Sequence, residues 1–210
     1  MKAEAIVLMG PPGVGKGTQG KRIAKEGRIP YVGMSDVVRE RSKVDPDFER
    51  YAKPLMARRE LLPDDVINNL WVDAVRSIRG YTDIVLDGFP RTGAQFELMR
   101  EHLLAMDIQP VVIFFMARYE VTNERRLARI QEAIARGEAP REDDLDESIH
   151  RKGFDTYIRE AKQIEGCVRA RSTFHHYVNA ERPPDQIYSE VVSHFHLPFI
   201  NMNVGELTAQ

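Results

Sequence analysis

Cysteine is almost missing from this chain of 210 residues: Cys167 stands alone. No internal disulfide can form, and no structural zinc cage, which needs about four ligands, can be built from thiols. That scarcity fits a reducing, cytoplasmic compartment. An excess of charge of one sign is equally lacking. The 30 Lys and Arg oppose 32 Asp and Glu for a formal net charge of -2, so no global field draws the chain to nucleic acid or to an anionic membrane. Basic groups that matter must act locally. Long apolar runs are also missing: the stretch Ala5 to Met9 is short for a signal peptide, and nothing approaches the roughly 20 residues of a membrane-spanning helix. Internal repeats and low-complexity linkers are absent as well. What is present, 42% hydrophobic and 30% charged residues, is the composition of one globular unit with a sizeable core, which excludes a disordered, collagen-like or coiled-coil chain.

Short apolar runs alternate with longer stretches of helical period, the pattern of an α/β fold. Ala5 to Met9, Asp83 to Leu86 and Val111 to Met116 read as buried parallel strands, with weaker candidates at Pro30 to Val32 and His176 to Asn179. Helices are expected over Lys16 to Glu26, Asp64 to Ile78, Thr92 to Met106 and Arg118 to Arg136. Pro63 is placed to open the second of these, along which Val66, Leu70, Val72 and Val75 form an apolar stripe. Ser35 to Leu62 and Arg126 to Lys152 are too polar to be core. They read either as solvated surface or as covers inserted between strands.

The sharpest motif is Gly10-Pro11-Pro12-Gly13-Val14-Gly15-Lys16-Gly17-Thr18, placed between the first strand and the first helix. Glycines allow successive backbone N–H groups to turn inward as an anion nest. The helix N-terminus adds its dipole, and Lys16 reaches phosphate oxygens. The hydroxyl residue comes one position late, with Gly17 intervening before Thr18, which suggests magnesium held largely through water. A second cluster, Asp87-Gly88-Phe89-Pro90-Arg91-Thr92 with Gln95 after it, ends the strand Asp83 to Leu86. In an open α/β sheet the carboxyl ends of the strands line the ligand crevice, so Asp87 and Arg91 should face Lys16.

Together, the loop ending Gly-Lys-Gly-Thr-Gln and the later Asp-Gly-Phe-Pro-Arg resemble the adenylate kinase family of nucleoside monophosphate kinases. The resemblance can be followed from about Ala5 to about Val192. It implies a P-loop NTPase three-layer sandwich around a central parallel sheet, within a single domain. The core would take about 1–32, 63–124 and 153–210, an acceptor-binding helical insert about 33–62, and a short lid about 125–152. It implies ATP contacts from Gly13, Val14, Gly15, Lys16, Gly17, Thr18, Arg125 and Arg129. AMP contacts would come from Met34, Arg39, Leu62, Ile67, Gly88, Arg91, Gln95, Arg141 and Lys152, with Gln95 reading the edge of adenine. Lys16, Arg91, Arg125, Arg129 and Arg141 would be the catalytic cations, and Thr18 with Asp87 would hold Mg2+. Arg125 and Arg129 share a helix face at four-residue spacing, and Arg141-Glu142-Asp143-Asp144 with Glu147 resembles the lid segment Arg-x-Asp-Asp-x-x-Glu. No zinc is expected, because the eleven residues between Arg129 and Arg141 include no cysteine. His175, His176, His194 and His196 read as surface or packing residues.

The chain departs from the family pattern at three places. Met34 stands in Gly33-Met34-Ser35-Asp36 where the family reads Ser-Thr-Gly-Asp, and a thioether cannot donate the hydroxyl's hydrogen bond to a base. Lys152, beside Arg151, occupies the last lid arginine position, and lysine is a point charge rather than a fork. The tail Leu197 to Gln210, with Pro198-Phe199-Ile200, extends past the last helix. The implied reaction is Mg-dependent transfer of the ATP γ-phosphoryl group to AMP, giving two ADP, by a cytoplasmic monomer. A kinase for UMP, CMP or another monophosphate, and a non-catalytic nucleotide-binding regulator of the same fold, are the alternatives.

Overall fold

Five apolar runs become five parallel strands, and the polar stretches between them become helices. The computed structural model describes residues 3–78 and 83–194; His196 and the tail Leu197 to Gln210 lie outside the described residues. In chain order the elements are β1 (Ala3–Met9), α1 (Lys16–Gly27), β2 (Tyr31–Gly33), α2 (Met34–Val44), α3 (Pro46–Ala57), α4 (Asp64–Ser77), β3 (Ile84–Asp87), α5 (Gly93–Ala105), β4 (Ile108–Met116), α6 (Tyr119–Ala135), α7 (Glu142–Leu145), α8 (Glu147–Ala170), β5 (His175–Asn179) and α9 (Pro184–Ser193). The sheet runs β2-β3-β1-β4-β5, every pairing parallel. The expected strands thus all form, with ends moved by one to three residues.

Parallel strands covered on both faces explain why the runs are almost wholly apolar rather than alternating. Along β1, Ala5, Val7 and Met9 join one core with Trp71, Phe89, Phe96 and Leu103. Ile6 and Leu8 point the other way, to Val14, Ile23, Ile113 and Val191. Trp71 is 1% exposed and stacks on Phe89 with ring centroids 5.1 Å apart. The Asp-Gly-Phe-Pro-Arg motif is therefore anchored by its own phenylalanine to α4, an offset-stacked pair adding to area burial.

Strand order places the chemistry. Leu8 of β1 is in register with Asp87 of β3, and Met9 with Phe114 of β4. The glycine loop after β1 and the acidic motif after β3 therefore leave the sheet side by side, at the carboxyl edge where the order reverses around β1.

The two polar stretches differ from the expectation that they lack a core. Within 33–62, Val38, Ala52 and Leu62 form a small buried cluster joined by Phe48, Leu55 and Ile67. Within 125–152 the buried side chains other than Ala133 are polar: Arg126, Asp144 and His150 are each at most 3% exposed. Composition concealed this because the burial of these groups rests on hydrogen bonds between residues far apart in sequence. No helix among the described residues is long and apolar enough to cross a membrane.

Candidate active site

The glycine loop closes through backbone geometry that only glycine adopts easily. Gly13 has φ +81, and a Cβ there would lie 2.7 Å from the Thr122 carbonyl oxygen, so both conformation and space demand glycine. Gly15, also left-handed, caps α1 without a side-chain bond, leaving that helix's first N–H groups directed at the loop. Lys16 folds back over it, Nζ donating to Gly10 O at 2.6 Å and Pro11 O at 3.0 Å. Burial, opposed by Asp87 and reinforced by the positive charges of Arg91, Arg59 and Arg129, pulls the Lys16 ammonium down to about 8. Thr18 is exposed on the first turn of α1.

Facing Lys16, Asp87 ends β3 with Oδ2 accepting from the Tyr31 hydroxyl at 2.7 Å. Burial first, and then the carboxylate, push the Tyr31 phenol strongly up, so it stays a donor and fixes the orientation of Asp87. Tyr31 carried no motif signal. Arg91 Nε donates to Gly88 O at 3.1 Å, and its backbone N–H is taken by Gln95 Oε1 at 2.7 Å. Gln95 is 2% exposed and donates through Nε2 to Asp64 Oδ1 at 2.6 Å. Its amide therefore holds the arginine loop against α4. Gly88, at φ +82, leaves Met34 Cβ and Arg91 Nη2 within 4 Å of where its own Cβ would be. Met34 is 2% exposed, in the main core, while Leu62 and Ile67 belong to the cluster beneath α2 and α3.

The remaining cations split into engaged and free. Arg39 pairs with Asp36 at 2.5 Å. Arg125 donates to Val14 O at 2.8 Å and Ala180 O at 2.7 Å, so it braces the glycine loop against the end of β5. Arg129 grips Asp144 as a fork, Nε to Oδ2 at 2.7 Å and Nη2 to Oδ1 at 2.6 Å. Lys152 pairs with Glu60 at 2.8 Å, and Arg151 lies 3.3 Å over the Tyr119 ring centroid, so both residues that compete for the last lid position are engaged. Arg141 stands exposed at the start of α7; its backbone oxygen accepts from the Asp144 N–H at 3.0 Å, and its side chain has no hydrogen bond or ion pair among the described residues.

Two features were invisible in the sequence. Asp144, 1% exposed, accepts from Arg129 and from Arg59 Nη2 at 2.9 Å, while its backbone oxygen accepts from Arg126. One carboxylate thus gathers side chains from both polar stretches. Arg59 itself sits where α3 ends: Glu60 N–H reaches Leu55 O at 2.9 Å and Arg59 N–H reaches Met56 O at 3.0 Å, with Arg59 at φ +51. This closure usually carries glycine, and a bulky residue in it costs roughly 1–2 kcal/mol. His150 packs beneath the loop, its ring carbon 3.2 Å from where a Gly13 Cβ would be. Burial and the charges of Arg59 and Arg126 push it down to about 4, so the imidazole is neutral. The Thr122 hydroxyl donates to Tyr119 O and so accepts from His150 Nε2 at 3.2 Å, which leaves Nδ1 as a buried acceptor without a partner. His175 and His176 lie on β5; the His176 ring centroid is 3.8 Å from that of His194, the rings tilted by 38°, and His176 bonds Glu190.

An anion nest, a lysine over it, an aspartate opposite and several arginines above make a site for a polyanion whose charge is neutralised from several sides. Comparison with known proteins narrows the class. The family model described as Adenylate kinase matches residues 8–172. A protein named Adenylate kinase from Deinococcus radiodurans is 33% identical over 93% of this chain and 98% of its own length. Relatives of the same name from Thermus thermophilus, 29% identical over 90% of this chain and 95% of theirs, and Methylobacterium nodulans, 35% identical over 72% and 76%, are similar to it too. With glycine loop, acidic motif and arginine-rich segment all inside the matched span, the chain belongs to the adenylate kinase family.

Proposed function

We propose that this protein transfers the γ-phosphoryl group of ATP to AMP, reversibly, giving two ADP. The observation that carries this reading is the convergence of Lys16 and Arg91 on Asp87 at adjacent strand ends, with two polar segments, 33–62 and 125–152, reaching over that edge. Phosphoryl transfer asks for positioning and charge neutralisation more than for a protein nucleophile. The nest from Gly13 to Thr18 and the Lys16 ammonium hold the donor phosphates. Arg91 bridges the donor and acceptor phosphates, and Arg39 exchanges Asp36 for the acceptor phosphate. Arg129 and Arg141 neutralise charge on the transferring group, while Arg125 holds the loop. Segment 33–62 then acts as the acceptor insert and 125–152 as the lid, and their closure excludes the water that would otherwise take the phosphoryl group.

Magnesium suits the donors present: one carboxylate, Asp87, already oriented by Tyr31, and the exposed Thr18 hydroxyl are the sparse set that a strongly hydrated cation uses beside phosphates. Bound with ATP, it supplies charge neutralisation and template geometry for the phosphates. The chain's own residues do the rest. We place the protein in the cytoplasm as a monomer, on its near absence of cysteine and its self-contained pair of cores.

The test is a coupled assay of ATP and magnesium with AMP, UMP, CMP, GMP and dAMP in turn. Fast turnover of AMP supports the reading. Turnover of another monophosphate, or ATP binding with no turnover, would replace it. Base choice bears on Met34, which sits against Gly88. Met34→Thr is expected to sharpen the preference for AMP by about tenfold or more, since a hydrogen-bonding hydroxyl discriminates where a thioether does not. It should also lower Tm, because a residue 2% exposed gives up apolar burial. An unchanged substrate profile would show that position 34 does not read the base.

A further inference from the structure

We propose that Arg59 is a positioning residue that ties the acceptor insert to the lid, so that binding of one nucleotide favours binding of the other. This rests on the functional reading above and extends it to a residue that carries no motif. Arg59 leaves the end of α3 and crosses to the lid, where Nε donates to Asp143 O at 3.2 Å and Nη2 meets Asp143 Oδ2 at 3.0 Å and Asp144 Oδ1 at 2.9 Å. Asp144 is the same carboxylate that forks Arg129. A shift of the insert therefore acts, through one shared oxygen, on the orientation of a cation aimed at the transferring group.

Three other ion pairs flank this contact, and exposure separates them from it. Lys53 lies 3.9 Å from Glu142 with both side chains at least 60% exposed. Lys152 with Glu60 and Arg58 with Glu60 are also open to water. Such pairs are screened and hold geometry weakly. Arg59 and Asp144 are 10% and 1% exposed, where a hydrogen-bonded charge pair persists only if its full set of partners is kept. Space has been left for it: a Cβ at Gly153 of α8 would come within 2.7 Å of Arg59 Cδ and 3.3 Å of Pro12 Cγ. Insert, lid helix and glycine loop meet at that slot. A bulky residue is also kept in a left-handed conformation at this point, the kind of local strain that persists where surrounding contacts over-determine it.

Because coupling between two sites is reciprocal, it can be read from AMP binding alone. The dissociation constant of AMP is measured without and with saturating β,γ-imido-ATP, and the ratio of the two is the coupling. The unaltered protein should bind AMP at least about fivefold more tightly with the analogue present. In Arg59→Gly the ratio should fall to within about twofold of one. AMP affinity without the analogue should change little, and kcat should drop about tenfold through the loosened Arg129. Tm should fall only modestly, because relief of the left-handed backbone offsets part of the lost pairing and Arg129 still pairs Asp144. Arg59→Lys, which offers one donor in place of a fork, should recover part of the ratio. Gly153→Ala, which retains Arg59 but fills its slot while favouring the helix, should lower the ratio too. Lys53→Ala should leave both ratio and turnover unchanged. A ratio near one in the unaltered protein, a full ratio in Arg59→Gly, or a loss of ratio that tracks Tm across all the variants would each overturn the proposal. Absence of AMP turnover in the unaltered protein would instead overturn the functional reading, so the two failures are told apart.

Discussion

Replacing Lys16 with methionine is expected to lower kcat for ADP formation by about a hundred- to a thousandfold, the cost of losing one preorganised group at the transferring charge, while raising Tm. The two effects have a common cause. The ammonium is withdrawn from water and crowded by Arg91, Arg59 and Arg129, which together outweigh Asp87 and pull it down to about 8. Methionine keeps the apolar stem and removes the strained charge. The same shift fixes a pH signature. Between about 8 and the ordinary lysine value of 10.5, the unfolded chain holds a proton that the folded chain has given up. Stability contributed by this residue therefore rises with pH through that window, and below it the burial penalty is felt in full. Nucleotide affinity moves the opposite way, because phosphates need the charged form. The dissociation constant for ATP should climb above pH 8 by up to about tenfold per unit, and Lys16→Met should abolish that slope. A calorimetric titration at several pH values checks the slope, and a thermal melt checks the stability; a lower Tm in the variant, or the same slope in both proteins, would refute the assignment.

Arg91→Ala should cost at least about a hundredfold in kcat with ATP affinity nearly unchanged. The backbone of the motif ought to survive the change: Gln95 bonds the residue 91 N–H rather than its side chain, and Phe89 remains stacked on Trp71. The loss is therefore chemical rather than structural. Arg91→Lys should recover little, since a planar fork can span oxygens of two phosphates and an ammonium cannot. Steady-state kinetics on both variants, with ATP binding measured separately, decide the matter. Near-normal turnover in Arg91→Ala would remove it from the catalytic set.

Local order was legible in the sequence and long-range pairing was not. Strand and helix positions followed from apolar runs and helical period because neighbouring residues set them, and the glycine loop followed because its backbone admits few alternatives. The orientation of long side chains is decided by partners many residues away. The family resemblance implies Arg125 over the phosphates, and its spacing to Arg129 says nothing of its bonds to Val14 O and Ala180 O. Gln95 was expected to read a base edge, and most of its amide serves Arg91 and Asp64. Arg59 and Asp144 meet across 85 positions; Asp144 belongs to the lid motif, but nothing in the sequence announces Arg59 as its partner. The buried polar set Arg126, Asp144 and His150 looked like a solvated surface for the same reason: burial of charge depends on a network, and networks leave no mark on composition.

The stacking of Trp71 on Phe89 has an optical consequence. Trp71 is the chain's one tryptophan, and its indole N–H is buried without a partner, so its emission should lie at the short-wavelength end of the range. All of that light originates one ring away from the Asp-Gly-Phe-Pro-Arg motif. Intrinsic fluorescence will thus act as a built-in, label-free reporter of whether the motif is seated on its helix, with the bulk of the protein dark in the same channel.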